Sequence, residues 1–302
     1  MATGATIEIA VPEQLEEEGA PPPSAWRTIR GTVEGRVGVA VGLIMLLVIV
    51  FGRFFAPYSP TEIGVGLPTQ RPSADHYFGT DHLGRDVFSR FLSGGDTIVL
   101  VPLAAVILAF VVGGGLGMLG GYLRGRWDTV ITRSFDLLLT LPPLLLVLVL
   151  IAGLGTSSIV LIVTVGLVFL PRMGRVVRGA TQAVVTSDYV AAAQARGENT
   201  VSILGREVFP NIAAPTIADF ALRITYGVIF VATLNFLGLG AQPPEPDWGL
   251  MVADSRAYLS AQPWAALAPM FGIAALSIAF NLIADALTRH LTRETARGVV
   301  PL

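Results

Sequence analysis

The sequence predicts an all-α fold, a polytopic membrane bundle of six transmembrane helices. Two observations on composition predict it: 53% of the 302 residues are hydrophobic and only 14% are charged, where a soluble domain carries roughly a quarter charged residues. The third observation is a set of six apolar stretches that can each cross about 30 Å of hydrocarbon. These stretches are residues 37–56, 97–121, 137–156, 157–173, 212–240 and 264–287.

Two residue types that carry chemistry are missing from the chain. All 20 basic residues are arginine, and there is no lysine and no cysteine. The chain therefore cannot form a Walker A lysine contact, a Schiff base, a thiol nucleophile, a disulfide or a thiolate metal site. A formal net charge of −2 gives no sign of a nucleic-acid binder, whose domain would be clearly basic. We predict no catalytic residue and no metal site.

The chain divides into four predicted segments. Residues 1–35 are acidic and contain Pro21-Pro22-Pro23, which predicts a disordered cytoplasmic tail. Residues 36–96 hold the first span, retained rather than cleaved as a signal peptide, and an extracellular loop. Residues 97–290 form the main transmembrane domain, and residues 291–302 form a C-terminal cytoplasmic tail.

The third and fourth spans are the least regular of the six. Pro142-Pro143 would kink the third span or begin its helical part. The fourth span is short and ends at Pro171-Arg172, which makes it the weakest of the set. A five-span arrangement therefore stays open.

Arginine placement predicts the orientation, because cytoplasmic loops hold the excess of basic residues. With the N terminus inside, fourteen arginines fall in inside segments and five in outside segments, and Arg223 lies within the fifth span. Both termini are therefore predicted to be cytoplasmic. Loops 57–96 and 241–263 would then lie outside, and loop 172–211 inside.

Glycines recur at four-residue spacing in the second span, at Gly113, Gly117 and Gly121. Small residues one turn apart let two helix backbones approach closely in lipid. Tight packing inside one bundle is the preferred interpretation. A hinge or a dimer seam is the alternative.

Asp219 and Arg223 lie four residues apart in the fifth span, on one helical face where they can pair. Charges at membrane depth are costly and mark functional sites. Asp219 follows Asn211 by only eight residues, so an interfacial structural pair is the alternative. The predicted residues of a translocation pathway are Asp219, Arg223, Asn235 and Phe236.

The three histidines, His76, His82 and His290, accompany no recognisable ligand motif. His82 lies between Asp81 and Asp86 and could in principle hold a metal. A solvated loop is the preferred interpretation, and the acidic residues of loop 57–96 are predicted to be structurally unremarkable.

The inside loop contains an alanine-rich stretch. Composition predicts a short helix over residues 188–197, stopped at Gly197. A solvated helix would display charge, so its small side chains indicate a close fit against another surface. A helix lying on the membrane interface is the alternative.

This loop resembles the EAA loop of ABC-type importer permeases. The matching positions are Ala191-Ala192-Ala193, Gly197 and Pro210. Ala191 stands where the family has glutamate, and Glu207 and Phe209 stand where it has isoleucine and leucine.

Two further stretches narrow the resemblance. Residues 78–90, FGTDHLGRDVFSR, resemble the signature that precedes the second span in C-type permease subunits of oligopeptide and dipeptide importers. Residues 235–249, NFLGLGAQPPEPDWG, resemble the SFLGLGxQPPxPxWG segment of the same subunits. The resemblance covers about residues 78–289.

The resemblance implies a non-catalytic permease subunit of an ATP-driven ABC importer for peptides, in the bacterial inner membrane. It implies a heterodimer with a homologous second permease, one or two cytoplasmic ATPase subunits that bind ATP and Mg, and an extracellular peptide-binding protein. Its predicted ATPase-coupling residues are Asp188, Tyr189, Val190, Ala191, Ala192, Ala193, Gln194, Ala195, Arg196, Gly197, Ile203, Phe209, Pro210 and Asn211.

Other functions stay open at this stage. Relatives with similar permeases move nickel, glutathione or other small solutes, and scaffold motifs do not specify the cargo. An ATP-independent secondary transporter would need inverted repeats with broken helices or proton-relay carboxylates, and the sequence shows neither clearly. A membrane enzyme would need a catalytic cluster at the interface, and none is visible.

Overall fold

The computed structural model describes residues 30–298, with side chains described as far as Arg289. The predicted disordered tail lies almost wholly outside the described residues. Within them every regular element is helical, apart from one isolated bridge between Thr80 and Asp86. The helices are α1 (Val33–Phe51), α2 (Val87–Ser93), α3 (Asp96–Leu108), α4 (Gly115–Leu123), α5 (Gly125–Thr140), α6 (Pro143–Leu154), α7 (Ser158–Val184), α8 (Asp188–Ala195), α9 (Thr200–Ile203), α10 (Phe209–Phe236), α11 (Trp248–Ser255) and α12 (Trp264–Gly298).

Among residues 30–298, five helical stretches are long and apolar enough to cross a membrane, and a bent pair makes up to six. The pair is α5 and α6, which meet at an angle of 88°. Pro143 occupies the first turn of α6, as the sequence predicts for a proline that begins a helix. Short π-helical turns, Ala109–Gly114 and Leu204–Val208, lead into α4 and α10.

The bent pair joins opposite ends of the bundle. Near one end, a Cβ on Gly240 would lie 3.3 Å from Leu161, close to the start of α7. Near the other end, a Cβ on Gly121 would lie 2.9 Å from Thr181, close to the end of α7. The chain leaves α4 beside Gly121 and must reach the start of α7, so α5 and α6 together make the third of six crossings.

The prediction that the fourth span is the weakest, ending at Pro171, is wrong. Helix α7 is 27 residues long and continues through the buried Pro171 to Val184. It packs against α3, α4, α5, α6 and α10. Proline removes one backbone hydrogen bond from the helix. Membrane helices tolerate this loss, because neighbouring helices keep the backbone helical at the proline. The broken crossing is the third.

The glycine ridge, Gly113, Gly117 and Gly121, lies directly against α7. A Cβ on Gly113 would lie 2.4 Å from the Leu170 carbonyl oxygen, and one on Gly117 would lie 2.1 Å from that of Gly174. These are hard backbone clashes, so only glycine allows this approach. Packing within the bundle therefore explains the four-residue spacing of these glycines. The alternatives, a hinge or a dimer seam, are not needed to explain it.

The two long loops form a compact loop cap, residues 57–96 and 241–263, at the end of the bundle where α7 begins. Arg90 is buried and donates from Nη1 to the carbonyl oxygens of Pro60, at 2.8 Å, and Pro244, at 3.4 Å. Gln262 donates from Nε2 to the carbonyl oxygens of Gln70 and Phe78. Side-chain hydrogen bonds thus join segments that are far apart in sequence.

The prediction that the acidic residues of loop 57–96 are unremarkable is wrong for two of them. Asp86 is 1% exposed, accepts from His76 Nδ1 at 3.0 Å and caps α2 by accepting from the Ser89 amide. Asp81 accepts from Arg85 Nε at 2.6 Å. His82 is half-buried and stacks on Tyr258 rather than lying free in solvent.

We expect Gly117→Ala to lower thermal stability, because its Cβ would overlap the Gly174 carbonyl and force α4 away from α7. Gly115→Ala is the matched control, since a Cβ there meets nothing within 4 Å. Alanine is favoured over glycine in a helix by about 1 kcal/mol, so Gly115→Ala should be neutral or stabilising. Melting temperatures of both variants in detergent test this. Equal melting temperatures would contradict the packing assignment.

Candidate functional site

The end of the bundle opposite the loop cap carries the predicted coupling segment, residues 188–211. Helix α8 begins at Asp188 and ends at Ala195, within the range that composition predicts. Val190 and Ala193 are fully buried in a cluster with Val177 of α7 and Ile212 of α10. One side of α8 is therefore fixed to the bundle by apolar packing.

The other side of α8 is uncovered, and three alanines lie on it together with Asp188, Tyr189 and Gln194. Tyr189, Ala191, Ala192 and Ala195 are exposed, and Asp188 begins the exposed side. Val201 of α9, in the same segment, is 81% exposed. A flat alanine surface allows a partner backbone to come close, which long charged side chains would prevent.

Gly197 ends the helix in a left-handed conformation, with φ of +75°. Its amide donates to the Gln194 carbonyl at 3.0 Å, and the Glu198 amide donates to the Ala193 carbonyl at 3.2 Å. These two bonds form a Schellman motif, which favours glycine because its left-handed residue tolerates a Cβ poorly. A Cβ on Gly197 meets nothing within 4 Å, so the requirement is conformational rather than steric.

An ion-pair network holds the turn after α8. The Arg196 guanidinium donates to Glu198 at 2.7 Å and approaches Glu207 at 3.8 Å. The Arg196 and Ser202 hydrogen bonds hold the pKa of Glu198 below its usual value. Gln194 donates to the Tyr122 hydroxyl at 3.3 Å, which links α8 to the end of α4.

The remaining predicted coupling residues divide between the interior and the surface. Ile203 is 1% exposed and belongs to the cluster beneath α8, so it supports the segment rather than presenting a surface. Phe209, Pro210 and Asn211 are exposed in the first turn of α10, and Asn211 donates from its side-chain Nδ2 to the Glu207 carbonyl oxygen. The segment thus runs into α10 through the π-helical turn without a loop.

The predicted pathway pair forms a bidentate interaction. Arg223 donates from Nε and Nη2 to the two carboxylate oxygens of Asp219, at 3.2 Å and 2.8 Å. Their side chains are 17% and 14% exposed. The pair lies near the middle of the 28-residue α10, about 15 Å (Asp219) and about 21 Å (Arg223) along the helix from its first residue. Both residues belong to a helical stretch that is long and apolar enough to cross a membrane, Thr200–Phe236.

Asn235 has a structural environment rather than the predicted pathway position. It is fully buried, donates from Nδ2 to Asp247 Oδ2 at 2.8 Å, and accepts from the Ala241 amide at 3.2 Å. A Cβ on Gly240 would lie 1.7 Å from Asn235 Oδ1. The neighbouring Phe236 ring faces the Arg256 guanidinium, 5.7 Å from its centroid, and lines a groove of 460 Å³ between α10, α11 and α12.

Asp247 is the partner of Asn235 that sequence reasoning missed. It is fully buried and caps α11 by accepting from the Leu250 amide at 3.0 Å. Burial raises the pKa of Asp247 to about 6, against hydrogen bonds from backbone amides and Asn235 that lower it. Asp followed by Trp at a helix start was the available signal, because aspartate is a preferred N-cap residue.

Within residues 30–298, no group of three or more His, Asp or Glu side chains is placed to hold a metal ion. The features in place are a membrane-spanning helix bundle and a rigid small-residue helix exposed at one end. They define a multi-pass membrane protein that presents an exposed helix at one end of its bundle.

The chain belongs to the family of binding-protein-dependent transport system inner membrane components, whose pattern matches residues 111–297. It is 36% identical to the dipeptide transport system permease protein DppC of Alkalihalophilus pseudofirmus, over 93% of this chain and 96% of that protein. It is 36% identical to the probable D,D-dipeptide transport system permease protein DdpC of Escherichia coli K12, over 85% and 86% of the two chains.

A glutathione transport system permease protein, GsiD of Pectobacterium atrosepticum, is 34% identical over 87% of this chain and 89% of that protein. Among solved structures, the inward-facing MetNI methionine ABC transporter matches with a TM-score of 0.54 and 15% identity. The match covers 66% of this chain and 95% of that chain. At this identity it shows the fold alone. The protein is thus an inner-membrane, multi-pass permease subunit, as predicted.

We expect exchange of the Asn235 and Asp247 side chains to preserve the loop cap. Asn235→Asp alone would bring two carboxylates together, and Asp247→Asn alone would oppose two amide donors, each destabilising by about 1–3 kcal/mol. In the double variant, asparagine at 247 donates to aspartate at 235 and still caps α11. Thermal unfolding in detergent measures all three. Additive losses in the double variant would contradict the assigned pairing.

Proposed function

We propose that this permease subunit belongs to an ATP-driven ABC importer of oligopeptides or dipeptides. The coupling segment supports the proposal most directly. It combines a helix fixed on one side by Val190 and Ala193, an exposed alanine surface, and a direct connection into α10. ATP and Mg bind to one or two partner ATPase subunits, because a chain without lysine supplies no Walker A loop of its own.

The proposed assembly contains four kinds of component. A homologous second permease pairs with this chain in the membrane, and the ATPase subunits dock on the coupling segment. The coupling end and both termini lie in the cytoplasm, in agreement with the arginine excess. An extracellular peptide-binding protein then meets the loop cap, residues 57–96 and 241–263, on the other side.

In this mechanism, ATP binding closes the ATPase subunits and moves the docked α8. The movement passes into α7 and α10, whose side chains share a buried cluster with one side of α8, and tilts the bundle so that access to a central pathway changes sides. ATP and cargo must favour different bundle conformations, since a ligand that binds both states equally shifts neither. The chain performs no chemistry itself, and the ATPase partners hydrolyse the nucleotide.

Peptides are the proposed cargo because two of the compared relatives are named for dipeptides. Glutathione is the second candidate, since a relative 34% identical is named for it. Uptake of labelled dipeptides, longer peptides, glutathione and nickel by proteoliposomes that contain the complete transporter separates them. ATP-independent uptake would contradict the ABC assignment.

We expect Gly197→Ala to reduce cargo-stimulated ATP hydrolysis several-fold while the complex still assembles. A left-handed alanine costs about 1–2 kcal/mol, which shifts the population of the correct helix end by roughly 5- to 30-fold. Gly179→Ala is the matched control, because a Cβ there also meets nothing within 4 Å and the backbone is helical.

The measurement is ATPase activity of the reconstituted complex, with and without the binding protein and cargo. Gly179→Ala should leave the stimulated rate near that of the wild type. An unchanged rate in Gly197→Ala would contradict a coupling role for the end of α8.

A further inference from the structure

One side of α10 is uncovered along most of its length. We call it the α10 stripe and define it by Pro215, Asp219, Tyr226, Ile229 and Thr233. These residues recur at spacings of three, four or seven, so they share one helical face. Asp219 is partly exposed, and the other four are exposed. On the opposite side of the helix, Val228, Val231 and Leu234 are buried.

Helix α1 gives an internal reference for a lipid-facing surface. Its uncovered side carries Leu43, Ile44, Leu46, Leu47 and Val50, all aliphatic. Aliphatic side chains are what a hydrocarbon environment requires, because polar groups there must find partners. The surface of α1 therefore matches lipid.

The α10 stripe has a different chemistry at comparable exposure. Tyr226 is 57% exposed, close to the 54% of Leu43 on α1, yet it carries a phenol. Asp219 and its partner Arg223 lie on the same side of α10, within a helical stretch long and apolar enough to cross a membrane. Ionisable residues in membrane-spanning helices face a bundle interior or a water-filled cavity, because charges that face lipid are costly. The stripe therefore does not face lipid.

We propose that the α10 stripe lines the translocation pathway, and that Arg223 binds a free carboxylate of the transported peptide there. The proposal rests on the proposed function, which supplies a peptide as cargo. It extends that function by naming the chemical group that this chain recognises inside the membrane.

The geometry of the pair suits a transient carboxylate ligand. A guanidinium has five N–H donors, and within the described part of the chain the hydrogen bonds to Asp219 occupy two of them. The remaining N–H groups can donate to a second carboxylate in the planar geometry that guanidinium groups favour. Asp219 meanwhile neutralises the guanidinium when no cargo is present, so an unpaired charge is never left in the span.

Accessibility of the stripe can be tested by thiol labelling. The chain contains no cysteine, so single cysteines can be introduced without removing native ones. Tyr226→Cys and Ile229→Cys probe the stripe, at residues 57% and 49% exposed. Leu43→Cys and Leu47→Cys are the matched controls on α1, at residues 54% and 47% exposed. The probe is a membrane-impermeant methanethiosulfonate, applied to the complete transporter in proteoliposomes.

We expect both stripe cysteines to react at least about tenfold faster than both α1 cysteines, because the thiolate that reacts forms only where water is present. Addition of ATP and the binding protein should change the rates at the stripe alone. Equal, slow labelling at all four positions would overturn the pathway assignment, since the stripe would then be sealed by lipid or protein.

Recognition of the carboxylate needs a second experiment. Uptake of a labelled dipeptide is compared with uptake of its C-terminal amide, for the wild type and for the double variant Asp219→Asn/Arg223→Gln. The double variant removes both charges together, so neither is left unpaired. We expect the wild type to favour the free acid by about tenfold, the size of one charge-assisted hydrogen bond, and the double variant to lose this ratio.

Asp219→Asn alone retains Arg223 and should keep the preference for the free acid. Loss of the preference in this variant would overturn the proposal, because the pair would then act as a structural unit. The binding protein is the same in every measurement, so its own selectivity cancels from the comparison. If the double variant kept the wild-type ratio of free-acid to amide uptake, the assignment of Arg223 as the carboxylate ligand would be overturned, but peptide import itself would not. Failure of the wild type to import either form would instead refute the proposed cargo.

Discussion

The close approach of α4 and its preceding π-helical turn to α7 is the constraint on which the bundle depends. Three glycines place backbone against backbone along this contact, where a single Cβ would overlap a carbonyl oxygen. In a membrane no hydrophobic force separates helix from lipid, so tight packing of this kind is a main source of association. The contact makes α7 the central helix of the fold, with neighbours on several sides.

The position of α7 also determines where the coupling segment lies. Val190 and Ala193 of α8 pack in one buried cluster with residues from the last turns of α7. Helix α8 follows α7 after a short connection. Arg178 of α7 donates to Asp128 of α5 at 2.7 Å, which fastens the bent crossing to the same helix. A force applied to α8 is therefore transmitted to α7, a helix that is held in place by its neighbours, and not to a loop. That stiffness is what a lever between an ATPase and a bundle requires.

The sequence predicted the helical class, the six crossings and the extent of α8, because each rests on local composition or spacing. It misplaced the weak crossing, because Pro171 is held helical by neighbours that no local pattern reveals. It also missed the burial of Asp81, Asp86 and Asp247. Their partners are residues such as Arg85, His76 and Asn235, and only the folded loop cap shows that these contacts are buried.

The arginine pattern shows how one signal can have two causes. Arg175 and Arg178 count toward the predicted cytoplasmic excess, yet both pair with carboxylates of α5. They therefore serve packing as well as topology. Charge placement predicted an orientation, but it could not distinguish a residue that faces the cytoplasm from one that fastens two helices together.

Helix α10 connects the two sites proposed for this chain. Its first turn holds the last residues of the coupling segment, and Asp219 and Arg223 lie about 15 Å and about 21 Å along the same helix from its first residue. A rigid helix transmits rotation and tilt along its length, so a displacement of α8 also moves the guanidinium. If Arg223 holds a cargo carboxylate, the ATPase acts on that contact through the turn at Gly197 and the helical stretch that continues from Thr200 into α10. Because the chain lacks the lysine of a Walker A loop, such a mechanical route from a partner is the form in which nucleotide energy can reach the pathway.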